Sequence, residues 1–241
     1  MLNTEGARSA EADLAQLAGT VRNLSKHKCR VFWTDPDESR IDEALLAEWA
    51  ALDAPRAIGS GRFHSRPGLF AWDRVDPASE LLAGALPDDL AGRGADLGAG
   101  FGFLAAEVLT HCPRVTALDL YEAEARALEL ARANLARLFP DGGGAHVALE
   151  YQWHDVTTGL PKTYDFIVSN PPFHVGRADL PALGRAFIAA AAAALVPNGR
   201  LWLVANRHLP YEAELAAGFA RVRVVADERG FKVIEAIRAG R

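Results

Sequence analysis

Residues 169–174 (SNPPFH) contain the side chains that point most directly to chemistry. They follow the mostly apolar run 164–168, which predicts a buried strand, so we expect them to form the loop at its carboxyl end. The carboxamide of Asn170 and exposed backbone carbonyls such as that of Pro171 can accept hydrogen bonds from a planar amino group, and Phe173 offers a face for stacking. Acceptors that localise the lone pair of a conjugated amine favour methylation of an NH2 group.

A glycine-rich segment, DLGAGFG, occupies residues 96–102. Gly98 and Gly100 allow the backbone to turn tightly and to approach a ligand next to a helix N-terminus. The segment departs from the dinucleotide fingerprint, because Phe103 stands where that pattern requires Gly or Ala. Asp96 would repel a pyrophosphate and suits a cationic ligand or an amino group. The loop therefore favours a positively charged ligand over a nicotinamide dinucleotide.

Two further acids follow the next two predicted strands. Asp119 lies at the end of VTALDL, and a carboxylate at the end of a second parallel strand can accept both hydroxyls of a ribose. Asp155 lies just past HVALEYQW, where it could accept a hydrogen bond from an adenine amino group while Val156 packs on the ring. The acids and the glycines together predict a nucleoside site.

The elements that must position these residues become regular from Gly94 onward. Short apolar runs alternate with helix-length segments, a pattern typical of βαβ units and a mostly parallel sheet. Two last strands, at 222–227 and 231–237, have too few residues between them for a crossover helix, so direct pairing must be antiparallel. The sequence therefore predicts an α/β fold whose parallel sheet ends in an antiparallel hairpin.

The residues before Gly94 have a less regular pattern. A strand is predicted at 29–33, and a cap at Thr34 or Asp35 is expected to begin the helix that follows it. Helices are predicted at 11–24, 41–52 and 77–85.

Composition narrows the class of protein. The 241 residues are 50% hydrophobic and 24% charged, an ordinary globular profile, and two distant cysteines exclude a disulfide scaffold. No His/Cys cluster indicates a metal. The N-terminus lacks the apolar core of a signal peptide, and the longest apolar run, 186–196, is too short to span a bilayer, so we expect a cytoplasmic protein. The net charge of −5 argues mildly against a nucleic-acid partner.

The motifs nevertheless resemble those of the S-adenosylmethionine-dependent class I methyltransferases. They resemble most closely the ribosomal RNA small-subunit methyltransferase C family and its large-subunit relatives, which make N2-methylguanosine. The resemblance covers about residues 63–241. It rests on GLFAWDRVDPASELL, DLGAGFG, ALD, SNPPFH, VANRHLPY and the ending GFKVIEAIR.

This resemblance implies a Rossmann-like class I methyltransferase fold, with a seven-stranded mostly parallel sheet and a C-terminal antiparallel hairpin. It implies an RNA (guanine-N2-)-methyltransferase whose cofactor is S-adenosylmethionine and whose partner is ribosomal RNA or a ribosomal subunit particle. The implied cofactor-binding residues are Asp96, Gly98, Gly100, Asp119, Leu120, Asp155, Val156 and Asn170. The implied catalytic residues are Asn170, Pro171 and Phe173, and the implied substrate contacts are Phe173, His174 and Arg207.

The chain departs from the family in its N-terminal region. Members usually carry a complete N-terminal domain, a degenerate copy of the methyltransferase fold, whereas residues 1–60 are too few for one. We expect a short N-terminal region at 1–60, interpreted as a remnant of that domain, and a methyltransferase domain at 61–241. Three alternatives stay open: a protein glutamine methyltransferase, an adenine-N6 methyltransferase, and a non-catalytic ribosome-assembly factor. No metal, no membrane and a monomer are expected.

Overall fold

The structure is a computed structural model that describes residues 1–35, 40–140, 147–172, 174–175, 178–179 and 181–240, with the backbone alone at 174–175 and 178–179. The chain divides into two compact units, Met1–Ala54 and Pro55–Arg241.

The described residues of the first unit form two α-helices and a β-hairpin. Its elements are α1 (Ala7–Ala18), β1 (Arg22–Lys26), β2 (Cys29–Trp33) and α2 (Glu43–Leu52). The helix predicted to reach residue 24 ends at Ala18, because Gly19 adopts a φ of 79°, which a right-handed helix cannot continue. The prediction that Thr34 or Asp35 caps the second helix is also wrong. Asp42 caps it, and its side chain accepts a hydrogen bond of 2.9 Å from the Leu45 N–H.

The second unit contains the predicted alternation of strands and helices. Its elements are β3 (Arg56–Ile58), β4 (Phe63–Ser65), α3 (Pro77–Ala85), β5 (Ala91–Leu97), α4 (Phe103–His111), β6 (Arg114–Glu122), α5 (Ala125–Leu138), β7 (Ala148–Trp153), β8 (Tyr164–Ser169), β9 (His174–Val175), β10 (Ala178–Asp179), α6 (Pro181–Ala194), β11 (Leu195–Asn206), α7 (Glu212–Gly218), β12 (Arg221–Glu228) and β13 (Phe231–Ile237). Two short pairs, β3 with β4 and β9 with β10, stand outside the main sheet.

The main sheet has seven strands in the order β12-β13-β11-β8-β5-β6-β7. Strands β11, β8, β5, β6 and β7 run parallel, whereas β13 pairs antiparallel with both β11 and β12. The predicted Rossmann-like fold with its C-terminal antiparallel hairpin is confirmed. Parallel strands place their carboxyl ends at one edge, where ligands bind in such folds.

Both faces of the sheet are covered by apolar side chains. Neighbouring residues of a strand point to opposite faces, so Leu120 packs in the cluster with α4 and α5, and Tyr121 packs in the cluster with α6. Gly94 lets β5 pass close to its neighbour, because a Cβ at this position would lie 2.1 Å from the ring of Phe166. Burial on both faces explains why the strands read as continuous apolar runs.

The loops at the carboxyl edge are tied to neighbouring strands. The hydroxyl of Ser169 donates to the carbonyl of Leu97 over 2.7 Å, joining the ends of β8 and β5. The N–H groups of Gly98 and Ala99 both donate to the carbonyl of Tyr121, at 2.9 and 3.0 Å. The glycine loop is therefore fixed between β6 and β8.

Strand β12 is one of the two outermost strands of the main sheet, with β7 at the other end of the strand order. Val222 and Val224 lie exposed on one of its faces, and Arg221 and Arg223 alternate with them. The pairing of β12 with β13 is interrupted between Val224 and Ala226 by a bulge or irregularity, so the strand does not present a regular edge along its whole length.

Candidate active site

A cavity of about 350 Å³ opens at the carboxyl edge of the sheet. Its walls come from the glycine loop, from the ends of β6 and β7, and from the loop after β8. Seven lining residues carry the polar atoms and tight turns of these segments: Gly98, Gly100, Glu122, Asp155, Val156, Asn170 and Pro171. Six of the seven are residues that the sequence singles out, so segments distant in the chain converge on one pocket.

The glycine loop has the conformation that its glycines make accessible. Gly98 and Gly100 have φ of 74° and 53°, in the left-handed region that other residues adopt at a cost. A Cβ at Gly98 would lie 3.8 Å from the carbonyl oxygen of Asn170, and nothing lies within 4 Å of one at Gly100. The loop is thus open toward the cavity at Gly100, whereas a Cβ at Gly98 would lie in ordinary van der Waals contact with Phe187 and the Asn170 backbone.

Asp96 lies beneath this loop and does not line the cavity. Its Oδ2 accepts a hydrogen bond of 3.1 Å from the Ala105 N–H in the first turns of α4, and its Oδ1 has no hydrogen-bond partner among the described residues. Burial raises the pKa of this carboxyl to about 7. The negative charge of Glu122 also raises the pKa, whereas the hydrogen bond from Ala105 lowers it. The expected contact between Asp96 and the cofactor stays a prediction.

The prediction that Asp119 stands at the end of the second strand is wrong. Strand β6 continues to Glu122, so Asp119 is fully buried within it and Leu120 is a core residue. Glu122 takes the predicted place at the cavity wall. Its carboxylate is oriented by two backbone hydrogen bonds, from Gly100 to Oε2 at 2.8 Å and from Glu124 to Oε1 at 2.9 Å. The only sign of this role in the sequence is that Glu122 is the second acid of the segment ALDLYE.

Asp119 instead anchors a polar cluster within the sheet. It accepts a hydrogen bond of 2.8 Å from the hydroxyl of Tyr164. The hydroxyl oxygen of Tyr121 lies 2.5 Å from the hydroxyl oxygen of Tyr164. Lys162 Nζ lies 3.0 Å from its carboxylate and Arg93 Nη1 lies 3.4 Å from it. Burial raises the pKa of Tyr164, so its proton stays on the hydroxyl and donates to Asp119. This cluster gives Asp119 a structural role.

Asp155 and Val156 line the cavity after β7, as predicted. Asp155 caps a single turn of 3-10 helix, Val156–Thr158, and accepts hydrogen bonds of 2.9 and 2.7 Å from the N–H and hydroxyl of Thr157. These bonds hold the pKa of Asp155 below its usual range. The carboxylate is therefore an ionised, exposed acceptor beside the buried Val156 side chain.

Asn170 lies at the cavity wall directly after β8. Its Nδ2 donates to Asp76 Oδ2 at 2.8 Å and to Ser79 Oγ at 2.9 Å. Asp76 is also the cap of α3, because the same oxygen accepts a hydrogen bond of 2.9 Å from the Ser79 N–H. Sequence reasoning missed both partners, although the pattern Asp-Pro-x-Ser at the start of a helix is a local capping signal.

The other expected substrate contacts are not tested by the structure. Phe173 lies outside the described residues, and only the backbone of His174 is described, in β9. Arg207 is exposed, does not line the cavity, and forms an ion pair of 2.5 Å with Asp227. Its contact with substrate stays a prediction.

Phe70 is a cavity residue that sequence reasoning did not single out. Its side chain is 71% exposed, yet it lines the cavity together with Asn170 and Pro171. It also lines a smaller adjoining pocket that reaches Asp76 and Ser79. An exposed aromatic ring beside a polar acceptor is a suitable surface for a planar ligand.

Within the described residues, no three His, Cys, Asp or Glu side chains are grouped so that they could hold a metal ion. The helices of the described part of the chain include none that is long and apolar enough to cross a bilayer.

The sheet order, the glycine loop, the acids at adjacent strand ends and the Asn-Pro-Pro loop around one cavity define the class I methyltransferase fold. The family model of the methyltransferase small domain matches residues 60–235. Together with the relatives described next, this match shows that the chain belongs to the methyltransferase small domain family and, within it, to the ribosomal RNA small subunit methyltransferase C family.

Proteins named ribosomal RNA small subunit methyltransferase C are similar over nearly the whole chain. The one from Chromohalobacter salexigens is 34% identical over 98% of this chain and 68% of its own length. The one from Yersinia pseudotuberculosis is 30% identical over 97% of this chain, which spans 64% of that relative's length. A solved structure, the T. thermophilus 16S rRNA N2 G1207 methyltransferase RsmC with AdoMet and guanosine, superposes with a TM-score of 0.73 at 25% identity, covering 98% of this chain and 62% of that one.

Proposed function

We propose that this chain transfers a methyl group from S-adenosylmethionine to the exocyclic N2 amine of a guanine in ribosomal RNA. The observation that carries the proposal is the position of Asn170, a carboxamide at the wall of the cavity whose other walls are the glycine loop and Glu122. The similarity to RsmC, which was solved with AdoMet and guanosine, supports the same pair of ligands here.

The residues of the cavity fit this cofactor. The open space at Gly100 admits a ligand close to the backbone, and the fixed carboxylate of Glu122 retains lone pairs that can accept both hydroxyls of a ribose. Asp155 can accept from the adenine amino group while Val156 packs on the ring. The cofactor supplies an electrophilic methyl group on a sulfonium sulfur. Asp96 shapes the loop from below through its bond to Ala105.

The amine is held by acceptors of this chain. The target base must leave its stack to enter the cavity. We propose that it stacks on Phe173, with Phe70 closing the mouth, while the Asn170 amide oxygen and the Pro171 carbonyl accept its amino protons. These acceptors localise the amine lone pair and aim it at the methyl group, so that the nitrogen–carbon bond forms as the carbon–sulfur bond breaks, and the nitrogen then gives up one proton to water. No side-chain nucleophile takes part, so the remaining work is positioning and electrostatics.

The substrate is proposed to be ribosomal RNA or a ribosomal subunit particle. A net charge of −5 predicts modest affinity for naked RNA, so a structured particle is the expected substrate. We retain residues 1–60 as the proposed short N-terminal region and 61–241 as the proposed methyltransferase domain, and we propose that the protein acts in the cytoplasm, where ribosomes are found.

The test is transfer of a labelled methyl group to small-subunit particles, naked ribosomal RNA, DNA and a protein fraction, followed by mass spectrometry of the digested RNA. We expect N2-methylguanosine in the RNA of the particles. Label in glutamine or in N6-methyladenosine would replace the proposal by one of the alternatives, and cofactor binding without any transfer would favour a non-catalytic assembly factor.

Asn170→Ala is the matched variant for this test. We expect kcat to fall roughly 100-fold, the size of losing an oriented acceptor, with the affinity for cofactor nearly unchanged by calorimetry. Full activity of the variant would remove Asn170 from the role assigned to it.

A further inference from the structure

The amide group of Asn170 is held in one orientation by residues far away in the sequence. A carboxamide has two N–H donors on its nitrogen and an acceptor on its oxygen. Both donors have partners here, since Nδ2 lies 2.8 Å from Asp76 Oδ2 and 2.9 Å from Ser79 Oγ. The oxygen occupies the other end of the planar group and so turns away from these two partners.

The reverse orientation is disfavoured by the chemistry of Asp76. An ionised carboxylate only accepts hydrogen bonds, so a flipped Asn170 would place its oxygen against another acceptor and lose a charge-assisted hydrogen bond. Asp76 is itself held, because the oxygen that receives Asn170 also receives the Ser79 N–H and caps α3. The first turn of α3 is therefore a rigid support for the amide.

We propose that Asp76 and Ser79 are positioning residues that fix the Asn170 oxygen toward the reacting amine, so that the site selects a nucleophile carrying N–H donors over one that presents a carbonyl. This inference rests on the proposed function. A guanine presents an amine at C2 beside a carbonyl at C6, so an acceptor of fixed orientation discriminates between these two edges.

Three variants test the proposal because they change the support in different ways. Asp76→Ser keeps a side chain that caps helices well but removes the carboxylate that holds Asn170. Asp76→Asn keeps both a cap and an acceptor oxygen without the charge. Ser79→Ala removes the second acceptor. The control is Asp42→Ser, which makes the same change at the cap of α2.

We expect kcat for methyl transfer to fall about 10- to 100-fold in Asp76→Ser and less in Ser79→Ala, because the bond to a charged acceptor is the stronger one. Asp76→Asn should recover part of the loss, and Asp42→Ser should retain wild-type kcat. Wild-type kcat in both Asp76→Ser and Ser79→Ala would overturn the proposal.

The decisive measurement repeats these substitutions in the Asn170→Ala background under single-turnover conditions. Residues that act through Asn170 have nothing left to position there, so Asp76→Ser should cause no further decrease. A decrease equal to that in the wild-type background would show that Asp76 acts independently, for example on the cofactor, and would overturn the proposal.

A readout without turnover separates this inference from the proposed function. The side-chain amide signals of Asn170, identified by their loss in Asn170→Ala, should show slow hydrogen exchange in the wild type and fast exchange in Asp76→Ser. Unchanged exchange would overturn the positioning role even if RNA is methylated. Slowed exchange in a protein that methylates no RNA would instead refute the proposed function alone.

Discussion

Replacing Asp96 with asparagine should change how the stability of the protein depends on pH. The carboxyl is fully buried, its Oδ2 accepts from Ala105, and its Oδ1 has no partner in the described part of the chain. Burial raises the pKa from 3.8 to about 7. Asparagine has nearly the same shape and can keep the acceptor for Ala105, but it carries no charge.

The sign and the size of this pH dependence follow from the difference between the pKa values of Asp96 in the folded and unfolded states. The folded state binds this proton more tightly than the unfolded state, so the contribution of Asp96 to stability is fully present below about pH 4 and is lost as the pH rises to about 7. A difference of about three pKa units corresponds to about 4 kcal/mol in all, of which about 2.5 kcal/mol is lost between pH 5 and pH 8.

The measurement is the free energy of unfolding by urea of the wild type and Asp96→Asn at pH 5 and pH 8, at constant ionic strength. Other titrating groups contribute equally to both proteins. The difference in unfolding free energy between variant and wild type therefore changes between pH 5 and pH 8 only through Asp96. We expect the variant to gain about 2.5 kcal/mol relative to the wild type between the two values. Asp73→Asn, at an exposed acid, is the control and should show no such gain. If the unfolding free energies of wild type and Asp96→Asn changed by the same amount between pH 5 and pH 8, the raised pKa of Asp96 would be refuted.

Three other changes test the site and the packing. Glu122→Ala should weaken binding of S-adenosylhomocysteine about 10- to 100-fold by calorimetry, because it removes a charged acceptor. Asp119→Asn should instead lower the melting temperature and leave this binding within about threefold. If the two variants lost the same affinity, the separate roles given to Glu122 and Asp119 would be wrong. Phe70→Ala should raise KM for the RNA particle with cofactor affinity unchanged, and an unaltered KM would argue against a ring at the mouth. Gly94→Ala should cost about 1–3 kcal/mol in urea unfolding, because its methyl group would meet Phe166, and wild-type stability would contradict that packing.

Much of the second unit could be predicted because its strands and helices each carry their own periodic pattern. The helix α3 and the strand β13 begin and end at the predicted residues, 77–85 and 231–237. Errors occur where one residue decides the outcome. Gly19 ends α1 six residues before the predicted end at 24, and the chain then turns into β1.

The candidate site was predictable in its segments but not in every residue. The glycine loop and the Asn170 loop are local motifs, and the sheet brings them together. The register of β6 against β5 decides which acid of ALDLYE reaches the cavity, and no local pattern distinguishes Asp119 from Glu122. The contact between Asp76 and Asn170 joins residues 94 positions apart, so only the folded chain shows it.

The edge strand β12 has a consequence for handling the protein. An unpaired edge with exposed valines can template the addition of a strand from another molecule, the first step of fibril formation. Arg221 precedes Val222, so an approaching copy would bring like charges together there, whereas the charge of Arg223 is paired with the buried Glu235, and the irregular pairing before Ala226 breaks the edge. Neutralising Arg221 would therefore favour aggregation through the sheet, and neither β12 nor Arg221 lines the cavity of the candidate site.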